Sequence, residues 1–211
     1  MKKLLIMLLI VMLLLTACQS SAQTAAENYL ATHSGQEIVS EFEQLTFTYE
    51  NFDTPTELSN KALIDFVTAG VCHNGPLDLA QWYDAESNAF LVPEAEIYAV
   101  LDKYFGAYDF QPEKCWYYDY NSENKILTIS AVGGGSATSY DLVSAEALDD
   151  DNIKVTLLAY TDEDTKYDNP SYYYITARII DNAPQFTSFQ TSPNLSAAIT
   201  NRVSQYMVIA L

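Results

Sequence analysis

Two histidines, three cysteines and 28 acidic residues are the groups in this 211-residue sequence that could serve as bases, nucleophiles or ligands. A hydroxyl or thiol nucleophile needs an imidazole beside it to take its proton, so His33 and His73 bound the catalytic options. His33 lies in a polar segment, and His73 follows Cys72, a neighbour whose side chain points elsewhere. His73 reads as solvent-facing at a helix terminus, and His33 as lying near the tether. Gly133-Gly134-Gly135 lacks the Lys-Ser/Thr that a phosphate loop requires, and reads as a turn. Glu94 with Glu96, and Asp162 with Asp164, could be carboxylate pairs for hydrolysis, but so acidic a chain offers such pairs everywhere and solvated charge explains them. Asp149-Asp150-Asp151-Asn152 and the acidic stretch from Asp162 to Asn169 would suit Ca²⁺. Neither has EF-hand spacing, and turn chemistry accounts for both. The expectation is no catalytic residue, no metal and no cofactor.

Aromatic residues offer a different chemistry. Trp116 and Tyr118 in one strand pattern, and Tyr172 and Tyr174 in another, alternate so that rings fall on both sheet faces. Outward rings could stack on sugar or grip a peptide, while cross-strand pairing explains them without any ligand. The charge narrows the partners. With 10 Lys and Arg against 28 Asp and Glu the net charge is -18, which argues against nucleic acid, whose phosphate backbone is held by clustered Lys and Arg. Cationic partners suit it, and so does the simpler role of keeping the chain soluble.

The N-terminus gives an address. Lys2 and Lys3 precede an apolar run from Leu4 to Leu15. Twelve residues at about 1.5 Å each reach about 18 Å, short of the roughly 30 Å a spanning helix must cross, so the run reads as a signal peptide. Leu15-Thr16-Ala17-Cys18 resembles the lipobox of bacterial lipoproteins. That resemblance implies cleavage before Cys18, acylation of its thiol, and residence on the outer face of the cytoplasmic membrane; a secretory cut near Ser21-Ala22 is the alternative. Two long acyl chains hold a protein on a bilayer where one would be marginal. Without Lys2 and Lys3 the ten basic residues fall to eight, and the net charge of -18 deepens to -20.

Cys72 and Cys115 are then the remaining thiols. Export permits a bridge between them, and two separate buried thiols are equally compatible with the sequence. A bridge would close a loop of about 44 residues, for which chain entropy gives on the order of 4 kcal/mol.

The elements behind these residues read as one α+β domain. Residues 1–17 form the signal peptide, 18–35 the lipidated Cys and a flexible tether, 36–192 the domain, and 193–211 a tail with helical spacing at Leu195, Ile199 and Val203. Gln36 to Gln44 is helix or strand leading into Leu45-Thr46-Phe47-Thr48-Tyr49. Thr54-Pro55-Thr56-Glu57 offers a capping box for a helix carrying Leu63, Phe66 and Val67 on one face. A hairpin is expected around Asp84 to Asn88. Pro93 then opens a helix with Ile97, Val100, Leu101, Tyr104 and Phe105 as its apolar stripe, ended by Gly106. From Cys115 the period becomes two, and the short links between the strand patterns predict an antiparallel meander with helices packed on one face. Ile153, Val155, Leu157 and Ala159 share one face of a strand, as do Tyr173, Ile175, Ala177 and Ile179.

This order of elements, from about Thr54 to Gln190, resembles the NTF2-like and cystatin-like α+β folds, in which a curved sheet wraps a helix. The stretch from Val92-Pro93 through Tyr104-Phe105-Gly106 is similar to extracytoplasmic lipoproteins of Gram-positive bacteria, and no activity comes with that likeness. The expected function is a membrane-anchored, non-catalytic binding module for a peptide, a carbohydrate or a cationic partner. The alternative is a surface hydrolase with carboxylates in a pocket between sheet and helix.

Overall fold

Cap chemistry sets the first elements of the fold. The computed structural model describes residues 23–68, 75–114, 118–130, 138–161 and 170–192. Thr24 and Glu27 form a reciprocal capping box that opens helix α1, Ala25–Thr32. Ser34 and Glu37 repeat it for α2, Gly35–Phe42. Each box satisfies two backbone N–H groups that a helix start leaves without partners. Glu37's carboxyl is held below its usual range, chiefly by the backbone N–H of Ser34.

Helix α1 corrects the reading of 18–35 as a flexible tether. Ala26 and Tyr29 are fully buried, and α1 packs on strands of the second sheet described below. Residues from Thr24 onward are therefore part of the fold. The signal was present twice in the sequence, as Thr-x-x-Glu and Ser-x-x-Glu, but segment polarity outweighed it.

The run from Leu45 is not a strand. It winds as a 3₁₀ turn, Glu43–Thr48. The hydroxyl of Thr46 donates to the carbonyl of Glu43 at 2.6 Å, and that of Thr48 to the carbonyl of Leu45 at 3.0 Å. These local bonds outweigh the strand preference of β-branched threonine. Thr54 does not cap a long helix either: Pro55–Glu57 is a separate 3₁₀ turn, and Ser59 accepts from the Ala62 N–H at the start of α3, Asn60–Thr68.

The expected hairpin is formed by β1, Tyr83–Asp84, and β2, Ala89–Pro93. The expected helix follows as α4, Glu94–Tyr104, with Ile97, Val100 and Leu101 buried. The chain leaves α4 through Gly106 at φ +70°, where only glycine is unstrained. The later strands are β3, Asp119–Asn121, β4, Ile126–Ser130, β5, Ser139–Ala147, β6, Asn152–Tyr160, β7, Ser171–Ile180, and β8, Ala183–Ser192.

The class is α+β and every described pairing is antiparallel. The expectation of a single meander is corrected in one respect: the described residues form two four-stranded sheets, β1-β2-β4-β3 and β5-β6-β7-β8. Only the second is a meander. Alternation along a strand states which face is buried, not which strand becomes its neighbour.

Helix α4 contacts both β2 and β8 and so joins the sheets, while α1 and α2 cover the inner face of the second. Ile153, Val155, Leu157, Ile175 and Ala177 are buried there as the alternation required. Phe186 sits at the centre of the core, against Phe42, Phe66, Tyr104 and Phe105 with ring centroids 5.5 to 6.1 Å apart. The free edge of β8 is partly closed by Phe52, which exchanges two backbone hydrogen bonds of 2.9 Å with Phe189. That pairing limits exposure of an open strand edge. Among the described residues no helix is long and apolar enough to cross a membrane.

Candidate functional site

Carboxylates far outnumber cations, and the fold satisfies many of them with tyrosine. Tyr29 donates to Glu41 at 2.5 Å, Tyr108 to Asp102 at 2.7 Å, Tyr118 to Asp65 at 2.7 Å, Tyr120 to Glu94 at 2.5 Å and Tyr160 to Asp141 at 3.1 Å. A phenol is a neutral donor, so these bonds hold a carboxylate without needing one of the scarce lysines or arginines. Their proton affinities respond: Tyr29 and Tyr108 are pushed above the ordinary tyrosine value by burial first, and Tyr120, by its bond to Glu94 first, up to about 12.

This pattern reassigns two features of the sequence. His33 belongs to the folded core rather than to a tether: its side chain is 15% exposed and its ring stacks on Tyr29 at 4.0 Å. Its Nδ1 lies 2.9 Å from the carbonyl of Tyr29, and its Nε2 3.9 Å from Glu41. Thr32 is the adjacent hydroxyl, but it donates to the carbonyl of Asn28 at 2.8 Å. That hydroxyl also lies 3.2 Å from His33 Nδ1, and the group together closes the C-terminus of α1. Tyr118 likewise spends its hydroxyl on Asp65, which also pairs with Lys61.

The proposed aromatic platform is divided. Tyr118 belongs with the first sheet and Tyr172 and Tyr174 with β7 of the second. Tyr172 is 8% exposed. Tyr174 carries the Lys154 ammonium 5.7 Å above its ring. Trp116 lies outside the described residues, as do Cys18, Cys72, Cys115, His73, Gly133-Gly134-Gly135, the stretch from Asp162 to Asn169 and the C-terminal tail from residue 193. Asp149 turns onto its own loop and accepts from the N–H groups of Asp151 and Asn152, while Asp151 pairs with Arg178. Among the described residues no three His, Cys, Asp or Glu side chains converge as metal ligands.

The structure assembles a different aromatic surface, at the rim where the 3₁₀ turn Glu43–Thr48 meets β5 and β7. Tyr140 on β5 and Tyr173 on β7 stand on the inner face to either side of β6, half-buried against the core, with ring centroids 6.1 Å apart. Tyr173 stacks on the buried Phe189 at 5.5 Å. The Tyr140 hydroxyl meets the Thr46 hydroxyl at 2.9 Å, fixing the turn to the sheet. That turn ends in Tyr49, at φ 54°, with its N–H on the carbonyl of Thr46 and its ring edge-on to Phe47.

Tyr49 is 76% exposed, the largest exposure among the bulky apolar residues of the described chain. A bulky side chain in left-handed backbone is uncommon, and such positions gather at ligand contacts. Burial, with smaller contributions from Tyr173, Glu43 and Tyr49, pushes Tyr140 up to about 12. Burial and then Tyr49 raise Tyr173. Both rings therefore stay neutral phenols, electron-rich on their faces. Nothing in the sequence pointed here, because Tyr49, Tyr140 and Tyr173 come from three distant segments. The chain matches no protein-family model, no curated protein and no solved structure.

Proposed function

We propose that the protein is a membrane-anchored extracytoplasmic lipoprotein acting as a non-catalytic binding module, with the Tyr49 rim as its contact surface. The observation that carries this is the exposure of Tyr49, held in left-handed backbone with its ring edge-on to Phe47. An exposed aromatic ring binds flat or cationic groups with little loss of side-chain freedom. The apolar run from Leu4 to Leu15 and the lipobox-like Leu15-Thr16-Ala17-Cys18 support the anchor. Acylated Cys18 would stand six residues before Thr24, a reach of at most about 20 Å even fully extended. The fold would then lie close to the outer face of the cytoplasmic membrane. Carboxylates bound by tyrosine hydroxyls and backbone N–H groups lend no support to a hydrolase.

The test is to add soluble envelope fragments to the isotopically labelled full chain and follow the tyrosine ring signals. The reading requires shifts concentrated at Tyr49, Tyr140 and Tyr173. Turnover of the fragments, or shifts confined to the opposite end of the fold, would refute it.

A further inference from the structure

We infer that the end of the fold nearest Cys18 seats on the phospholipid surface, with Leu148 and Ile180 entering the headgroup layer; this rests on the anchor proposed above and adds a second membrane contact to it. Three observations carry it. The first is what the start of α1 is fastened to. The Ala26 N–H donates to the carbonyl of Asp150 at 3.0 Å, and the side-chain amide of Asn28 to the side-chain oxygen of Asn182 at 3.4 Å. The β5–β6 and β7–β8 turns therefore flank the point where the chain enters the fold. Cys18 precedes Thr24 by six residues, at most about 20 Å, so an acyl group there keeps both turns close to the bilayer.

The second is what those turns carry. Leu148 is 52% exposed and Ile180 42%. Ile179 is buried, so Ile180 points to the opposite, outer face of the sheet. The Leu148 N–H donates to the carbonyl of Asn152, Asn152 pairs with Arg178 across β6 and β7, and Ile180 stands two residues beyond Arg178. With strands about 4.8 Å apart and about 3.4 Å per residue, the two aliphatic side chains leave the backbone on the order of 12 Å apart.

The third is energetic. Two half-exposed aliphatic side chains contribute too little to hold a free protein on a bilayer. Beside a lipid anchor the contact is intramolecular, and the same small burial is enough to fix orientation. Charge selects the lipid. Asp149 and Asp150 follow Leu148, Asp181 follows Ile180, and Arg178 between them is paired with Asp151. The seat thus suits a headgroup layer of low net charge and is opposed by anionic lipid.

The test places the acylated, methyl-labelled protein in phosphatidylcholine bicelles with a nitroxide on some headgroups. Leu148 and Ile180 methyl signals should broaden more than those of Val143, which is 46% exposed but five residues back from Leu148, about 17 Å along β5. Leu148→Ser should lower the docked fraction, read at Ile180, about threefold to tenfold. Replacing part of the lipid with phosphatidylglycerol should weaken the broadening, and salt should restore it by screening. Equal broadening at all three residues, no change at Ile180 in Leu148→Ser, or stronger broadening with phosphatidylglycerol overturns the seat and leaves the anchor standing. A protein that does not enter the bicelles overturns both. Circular dichroism of the variant excludes misfolding as the cause, since Leu148 is exposed and its loss leaves the core intact.

Discussion

The Tyr29 hydroxyl donates to a carboxylate oxygen of Glu41 at 2.5 Å, tying helix α1 to helix α2 across twelve residues of chain. Tyr29 is otherwise enclosed and stacked under His33. The contact makes the start of the domain part of its core. Removing the hydroxyl while keeping the ring isolates this bond. Tyr29→Phe should destabilise the protein by about 1.5–3 kcal/mol, the range for hydrogen bonds to a charged acceptor. An unchanged urea midpoint would show that the bond contributes nothing.

Alkaline pH should weaken the fold. Tyr140, raised mainly by burial, and Tyr120, raised mainly by its bond to Glu94, keep their protons in the folded state up to about 12. In the unfolded chain tyrosine loses its proton near pH 10. Below that value both states are protonated and the stabilisation is fully present. As pH climbs from there toward the folded values, the unfolded chain binds fewer protons, so stability falls. Urea midpoints should be level to about pH 10 and drop beyond it. A level midpoint through about pH 11.5 would contradict the assignment.

Phe186 is fully buried among four aromatic neighbours. Phe186→Ala leaves a cavity that rigid rings cannot collapse to fill, and should cost about 3–5 kcal/mol. Thermal unfolding measured beside wild type checks it.

Gly106 turns the chain at φ +70° after α4, and a Cβ there would meet the Gln185 side chain at 2.6 Å. That amide is a flexible end and moves at little cost, so the backbone decides. Gly106→Ala should cost about 1–2 kcal/mol through left-handed strain alone. A larger loss in the denaturation curve would mean that Gln185 is not free to move.

Cys18→Ala should abolish incorporation of labelled palmitate and leave an uncleaved or mislocalised chain. Normal processing with membrane retention would remove the lipid anchor from the proposal.

The sequence by itself determined the α+β class, helix Glu94–Tyr104 with its glycine stop, and the buried faces of β6 and β7. These rest on periodicity and cap chemistry, which act over a few residues. It also held the two capping boxes of α1 and α2, readable in principle at Thr24 and Ser34. The tertiary structure decided what depends on meetings between distant segments. It divided the strands into two sheets, because β4 pairs with β2 and β3 rather than with β5. It buried Tyr29 and matched carboxylates to tyrosine hydroxyls as far as 53 residues away, as in Tyr118 and Asp65. It also set Tyr140 and Tyr173 edge to face across β6 and left Tyr49 exposed, while it parted Tyr118 from Tyr172 and Tyr174. An aromatic side chain carries the same local signature whether it ends in core or on the surface, and only the packing around it makes that choice.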